Sequence, residues 1–312
     1  MKRVLRPTGL VVAAALAFGL VSCSDGGSTP TTPEGVVSVV ASFYPLQFVT
    51  EQVGGELVNV ANLTPAGTEP HDLELTPKDT ASVQDAELMV YLAGFAPAVD
   101  EAAASVADAA AFDVSAAARL ELTADDHDAE HAGDGHDHEG VDPHFWLDPL
   151  RLADVADAVA ERLAQLDPTH ASEFAANAAT LRGELEALDA EFTAALTGCA
   201  DTNLVTSHAA FGYLAVRYGF EQVGITGLTP EDEPSPATLA EIADFVRANS
   251  VTTIYYETLV DPAIAETLAA ETGATAAVLD PLEGLSSASA GSNYFEVMRS
   301  NLANLRTGQR CP

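Results

Sequence analysis

Eight histidines are spread along the 312 residues, and three of them stand in short polar motifs that each close on a turn or a helix start. His71 lies in GTEPHDLELTPKD (67–79), His144 in DPHFWLDP (142–149) and His208 in TSHAAFGYLA (206–215). A neutral imidazole offers a nitrogen lone pair, so three of them beside a carboxylate form a closed tetrahedral donor set of the kind zinc favours. Four more histidines, His127, His131, His136 and His138, fall in DDHDAEHAGDGHDHE (125–139), where seven carboxylates share fifteen residues and no aliphatic side chain exceeds alanine. That segment has nothing with which to pack a core, and it is expected to be a loop that collects transition metals weakly and adaptably. His170, in the first turn of a long helical stretch, reads as an ordinary surface residue.

Short β-branched runs separated by helical stretches must place these residues. Residues 36–43, 57–63 and 88–94 read as strands, with helices over 45–54, 76–86 and 149–166. The pattern returns at 203–207, 222–226, 252–257 and 275–280, with helices starting at Ala209, Ser235, Pro262 and Tyr294. Alternation of this kind predicts parallel sheets. Between the two sets, Asp167 is placed to cap a helix and Pro168 to start it, and Phe174, Leu181, Leu185, Leu188, Phe192 and Leu196 recur at helical spacing. The expected fold is therefore α/β: two α/β lobes (36–166 and 199–312) joined by one long rigid helix (167–198). Open α/β sheets bind ligands beyond the carboxyl ends of their strands, so a site is expected in the cleft between the lobes.

Lys and Arg number 13 against 47 Asp and Glu, a formal charge of −34, which speaks against nucleic acid and in favour of a cationic ligand. The charged fraction is only 19% with 47% hydrophobic residues, so the chain has enough apolar material to fold. Lys2, Arg3 and Arg6 precede an uncharged apolar run from Gly9 to Val21, which reads as a signal peptide over 1–22. The run ends in Leu20-Val21-Ser22-Cys23, resembling a bacterial lipobox, with Cys23 as the lipidated residue and 23–35 as a flexible tether to the outer face of the cell membrane. Cleavage would remove three cations, leaving 10 against 47 carboxylates and a charge of −37. Cys199 and Cys311 then remain, and in an exported compartment an even pair is most simply a disulfide.

The motifs around His71, His144 and His208, taken in order with the lipobox, the long central helix and the acidic His-rich insertion, resemble the zinc/manganese-binding solute-binding lipoproteins of bacterial ABC importers (solute-binding protein family 9). The resemblance covers the chain from Val36 to its end. It implies a non-enzymatic, monomeric protein that captures Zn²⁺ outside the membrane and delivers it to an ABC-type permease. It also implies a metal held between the lobes by His71 and His144 from the first and His208 and Asp280 from the second, with Glu69 as the alternative fourth ligand. Histidine at position 208, where a carboxylate would suit manganese, points to zinc, with Mn²⁺ as the alternative cargo. Each ring needs its second nitrogen held, for which Glu257, Asp72 and Asp142 are candidates. A lipid-anchored zinc hydrolase is the competing reading, but no HExxH motif or evident general base supports it.

Overall fold

A computed structural model describes residues 35–123 and 140–312. The signal peptide, Cys23 and the tether, and the His-rich segment 125–139 with its four histidines, lie outside the described residues, except for Gly35 at the tether's end. The first sheet is parallel, built from β1 (Val37–Ala41), β2 (Val58–Asn62), β3 (Leu88–Tyr91) and β4 (Ala111–Asp113) in the order β2-β1-β3-β4. The second repeats that order with β5 (Asn203–Thr206), β6 (Glu221–Gly224), β7 (Thr253–Tyr256) and β8 (Thr275–Val278), arranged β6-β5-β7-β8. Central β1 and β3 are almost entirely buried, as strands covered on both faces must be, whereas edge strand β2 alternates half-buried and exposed residues.

The helices of the first lobe are α1 (Tyr44–Gly54), α2 (Pro77–Asp85), α3 (Pro97–Ala104), α4 (Ser115–Ala118) and α5 (Pro149–Leu166). Those of the second are α7 (Gly212–Tyr218), α8 (Pro236–Ala248), α9 (Ala263–Thr272) and α10 (Tyr294–Gly308). Three short elements, α3, β4 and α4, were not anticipated from the sequence. They occupy a stretch, PAVDEAAASVADAAAFDVSAAA (97–118), whose alanines give neither a helical stripe nor strand alternation.

Between the lobes runs α6 (Ala171–Leu196), whose buried row of Phe174, Ala178, Leu181, Leu185, Leu188, Phe192 and Leu196 advances by three or four residues along one face. Its 26 residues span about 39 Å at 1.5 Å per residue. The helix begins as expected at Asp167 and Pro168, but its first turn, Pro168–His170, is a tighter 3₁₀ turn. There Asp167 accepts from the Thr169 amide and pairs with the partly exposed His170 ring.

One apolar cluster runs through both lobes. Val39, Phe43 and Leu46 from the first belong to the same core as α6's buried row and as Leu214, Leu282, Tyr294 and Leu305 from the second. Trp146 stands at the joint, fully buried, with its ring edge-on to Phe43 and its indole N–H donating to the Pro281 carbonyl at 2.7 Å. Tyr294 closes the same junction by donating its hydroxyl to the Trp146 carbonyl at 2.7 Å. Cys199, just beyond α6, is disulfide-bonded to Cys311 across 112 residues, so the second lobe is closed into a loop. Among the described residues no helix is long and apolar enough to cross a membrane.

Candidate metal centre

His208 follows β5 by two residues, at a carboxyl end of the second sheet. Its carbonyl is held by the Thr206 hydroxyl (2.6 Å) and the Gln222 side-chain amide (3.2 Å). Beneath it passes Gly224, where a Cβ would stand 2.3 Å from the Thr226 carbonyl and 3.1 Å from the Ala209 amide, so only glycine permits this close passage. His144 precedes a 3₁₀ turn, Phe145–Leu147, that leads into α5. His71 lies in the loop between β2 and α2, with its ring edge-on to Phe95 at 4.4 Å between centroids.

These loops bring His71, His144, His208 and Glu283 together, with one donor atom from each lying within 4.8 Å of all the others. Glu283 Oε1 is 3.3 Å from His71 Nε2, 3.0 Å from His144 Nε2 and 3.3 Å from His208 Nε2, and the Nε2 atoms of His144 and His208 are 3.4 Å apart. Four donors placed about 2.0–2.1 Å from one ion in a tetrahedron stand roughly 3.3–3.4 Å from one another. These four separations match four of the six edges of such a tetrahedron, and three neutral imidazoles with one carboxylate are a zinc-type donor set. Glu283 Oε2 is buried without a hydrogen-bond partner, which leaves the carboxylate further capacity for a cation.

The expectation that Asp280 completes this set does not hold in the geometry. Asp280 is the first carboxylate after β8, but its side chain is consumed in building the loop: Oδ1 accepts from the Leu282 amide at 2.8 Å and Oδ2 from the Thr258 hydroxyl at 3.1 Å. Its backbone is fixed in turn by Asn301, which accepts from the Asp280 amide and donates to its carbonyl. Leu282 then adopts a left-handed φ of 59°, and this turn swings Glu283 into the cleft. The motif VLDPLEGL contained both carboxylates. The signal that separates them is the Asp-Pro-Leu turn chemistry, an aspartate bonding the amide two residues on.

Glu69, the alternative fourth ligand, stays beside the set. Its Oε1 accepts from the His71 amide at 2.8 Å and lies 3.9 Å from His71 Nε2. Burial, together with the Glu283 charge, pushes its carboxyl up to about 9. Of the three expected supporting carboxylates, two touch the rings. Asp142 Oδ1 accepts from both the backbone amide and Nδ1 of His144, each at 2.8 Å, and Glu257 Oε1 lies 2.6 Å from His208 Nδ1 while also accepting from the Ser207 hydroxyl. A carboxylate on Nδ1 fixes the tautomer that leaves Nε2 free to ligate. Asp72 is exposed and takes no such place.

Burial opposes charge on the two deepest rings, yet the carboxylates prevail. His208 is held well above the ordinary imidazole value by Glu257 and Glu283 despite its burial, and His144 is raised by Asp142 and Glu283 in the same way. His71 is lowered, because burial outweighs its single contact with Glu283. Glu283, though buried, is held well below the usual carboxylate range by His208, His144 and His71.

Residues 39–308 match the family model described as ZnuA, zinc-uptake complex component A, periplasmic. The chain belongs to this family. It is 39% identical over 289 residues to the zinc-binding protein AdcA of Streptococcus pyogenes, covering 88% of this chain and 56% of that protein. It is 34% identical over 308 residues to the high-affinity zinc uptake system protein ZnuA of Bacillus subtilis, covering 96% of each. The chain thus spans little more than half the length of AdcA, but nearly all of the Bacillus relative. Among solved structures, the Zn(II)-bound ZnuA-like domain of Streptococcus pneumoniae AdcA is similar, with a TM-score of 0.72, 35% identity, and coverage of 88% of this chain and 99% of that one.

Proposed function

We propose that this chain captures Zn²⁺ outside the cell membrane and delivers it to an ABC-type permease, with His71, His144, His208 and Glu283 as the ligands. The observation that carries this reading is the set of four buried donor atoms within 4.8 Å of one another, with the separations from Glu283 to each imidazole and between His144 and His208 at 3.0–3.4 Å, as around one zinc-sized ion. The relatives' names, zinc-binding and zinc-uptake proteins, agree with it. Three nitrogen donors favour zinc over manganese, which prefers more oxygen ligands and higher coordination. Four protein donors in a closed set leave no position for a reactive water, so the site suits binding rather than hydrolysis.

The protein is exported and anchored through Cys23, and it works as a monomer. Zinc enters at the Nε2 atoms, displacing any proton they share with Glu283, while Asp142 and Glu257 keep the Nδ1 protons of His144 and His208. Because both lobes share one apolar core, release works through displacement of ligand loops rather than a wide separation of lobes. The loops bearing His71 and Glu283 meet across the cleft, with the Gly67 amide donating to the Leu285 carbonyl at 2.9 Å.

The test is a competitive Zn²⁺ and Mn²⁺ titration of the mature chain without its lipid, beside variants lacking 125–139 or carrying His144→Ala. One tight zinc per chain that survives loop deletion and is lost with His144→Ala supports the reading. Tight manganese preference overturns the choice of metal, and loss of tight binding with the loop overturns the site.

A further inference from the structure

We infer that Tyr213 and Arg217 are positioning residues that grip the His144 segment from the opposite lobe and hold His144 and His208 together as a preassembled pair. This rests on the zinc-binding reading above. The two residues are four apart on α7, hence on one face of the helix. That helix begins four residues after His208, so its position and that of the histidine are linked through a short connection.

The grip falls on both sides of His144. On one side, Tyr213 donates its hydroxyl to the Asp142 carbonyl at 3.2 Å and accepts from the amides of Glu121 (3.1 Å) and Leu122 (3.3 Å). Asp142 is the residue whose carboxylate orients the His144 ring. On the other side, Arg217 Nε lies 3.3 Å from Oδ1 of Asp148, the N-cap of α5, whose same oxygen accepts from the Leu150 amide. Arg217 is itself held by Asp189 on α6 at 2.5 Å, and Tyr218 donates to that same Asp189 oxygen at 3.0 Å. Arg151 adds a strut: its guanidinium stacks 4.5 Å from the Tyr213 ring and its Nε stands 3.5 Å from Asp148.

Residues 142 and 148 are thus both fixed to α7, and the histidine between them cannot shift relative to His208 without breaking one attachment. The 3.4 Å between the two Nε2 atoms is the expression of this grip. Capture then starts on a ready-made two-nitrogen seat, and the other two donors complete it. His71 and Glu283 hang on loops that α7 does not hold, so they are the donors that move when zinc leaves.

The experiment uses the mature chain with Arg217→Met, and separately Tyr213→Phe, which keeps the ring under Arg151 and removes only the hydroxyl. Arg299→Met, which breaks an exposed pair with Glu191 away from the site, is the control for general destabilisation. Zinc affinity is read by chelator competition, and ligand geometry by the visible absorption of the Co²⁺-loaded protein. Each grip variant is expected to weaken zinc about tenfold, the lower end of the effect of residues that support metal ligands, and to reduce the tetrahedral cobalt absorption. The control leaves both unchanged, and Arg217→Lys recovers part of the affinity. Wild-type affinity and cobalt spectrum in Tyr213→Phe and Arg217→Met overturn the inference. Equal losses in the control also overturn it, because they reduce the grip to general stability. A wild-type chain that binds no zinc tightly overturns the function itself, a result distinct from either.

Discussion

The two lobes have the same strand order, yet they supply the site in different ways. In the second lobe His208 and Glu257 come within two residues of β5 and β7, and Glu283 sits one turn past β8. The sheet itself aims His208 and Glu257, and the turn beyond β8 carries Glu283 into the cleft. In the first lobe His71 is nine residues beyond edge strand β2 and His144 follows no sheet strand at all, so both depend on contacts made elsewhere: Phe95 for one, Asp142 and Trp146 for the other. A strand end fixes a side chain through the ladder that carries it, while a loop residue is only as fixed as the packing around it. One lobe is a template and the other completes it.

The sharpest test of that contrast removes a donor side chain from each side. His208→Ala and Glu283→Ala are expected to abolish tight zinc binding, exceeding the 10- to 100-fold loss typical of supporting residues. His71→Ala is expected to retain the tightest residual binding of the three, and chelator competition on all three ranks them. Equal residual binding for His71→Ala and His208→Ala would erase the distinction between lobes. Next in size, Cys199→Ser with Cys311→Ser opens the covalent loop around the second lobe and is expected to lower stability by up to about 4–5 kcal/mol on chain-entropy grounds. The urea midpoint of the metal-free protein reads this loss.

Glu257→Gln removes the carboxylate behind the template's own histidine, and zinc affinity is expected to fall about 10- to 100-fold. Asp142→Asn does the same for His144, and near-equal losses would show that orientation matters alike in both lobes. Acidification should separate the rings as well. His208 and His144 have raised values, so protons compete with zinc there already above the ordinary imidazole value of 6.5, whereas lowered His71 competes only further down. Zinc affinity is accordingly expected to fall as pH drops from neutral, with proton release on binding at pH 7 measured by calorimetry in buffers of different ionisation enthalpy. The smallest effect is expected from Asp280→Asn, which keeps an acceptor for the Leu282 amide: a loss under about tenfold, below the 10- to 100-fold typical of lost supporting contacts, because this bond is preserved. A loss as large as that of Glu283→Ala would return Asp280 to the ligand set.

Much of this was legible in the chain because strongly patterned segments declare themselves. The buried row of α6, the β-branched strands and the three histidine motifs each carry a signal that tertiary contacts reinforce. Glu257 was legible for the same reason, as the polar residue closing TTIYYE. Glu283 was not, because the resemblance carries the fourth place over to Asp280, and only the turn made by Asp280 and the left-handed Leu282 sets the carboxylate three residues on beside the imidazoles. Asp72 adjoins His71 in sequence but faces solvent, since neighbours in a loop need not share a direction. The alanine-rich stretch holding α3, β4 and α4 offers too little contrast between apolar and polar positions for any period to emerge.

The apolar cluster that joins Val39 and Phe43 to Leu282 and Tyr294 through Trp146 also bears on how such a protein can change over generations. Either half, made alone, would bare an indole and several aromatic rings to water. Lobes from two such proteins could not be exchanged like cassettes, and new metal preferences would have to arise by substitution within the loops, one ligand at a time.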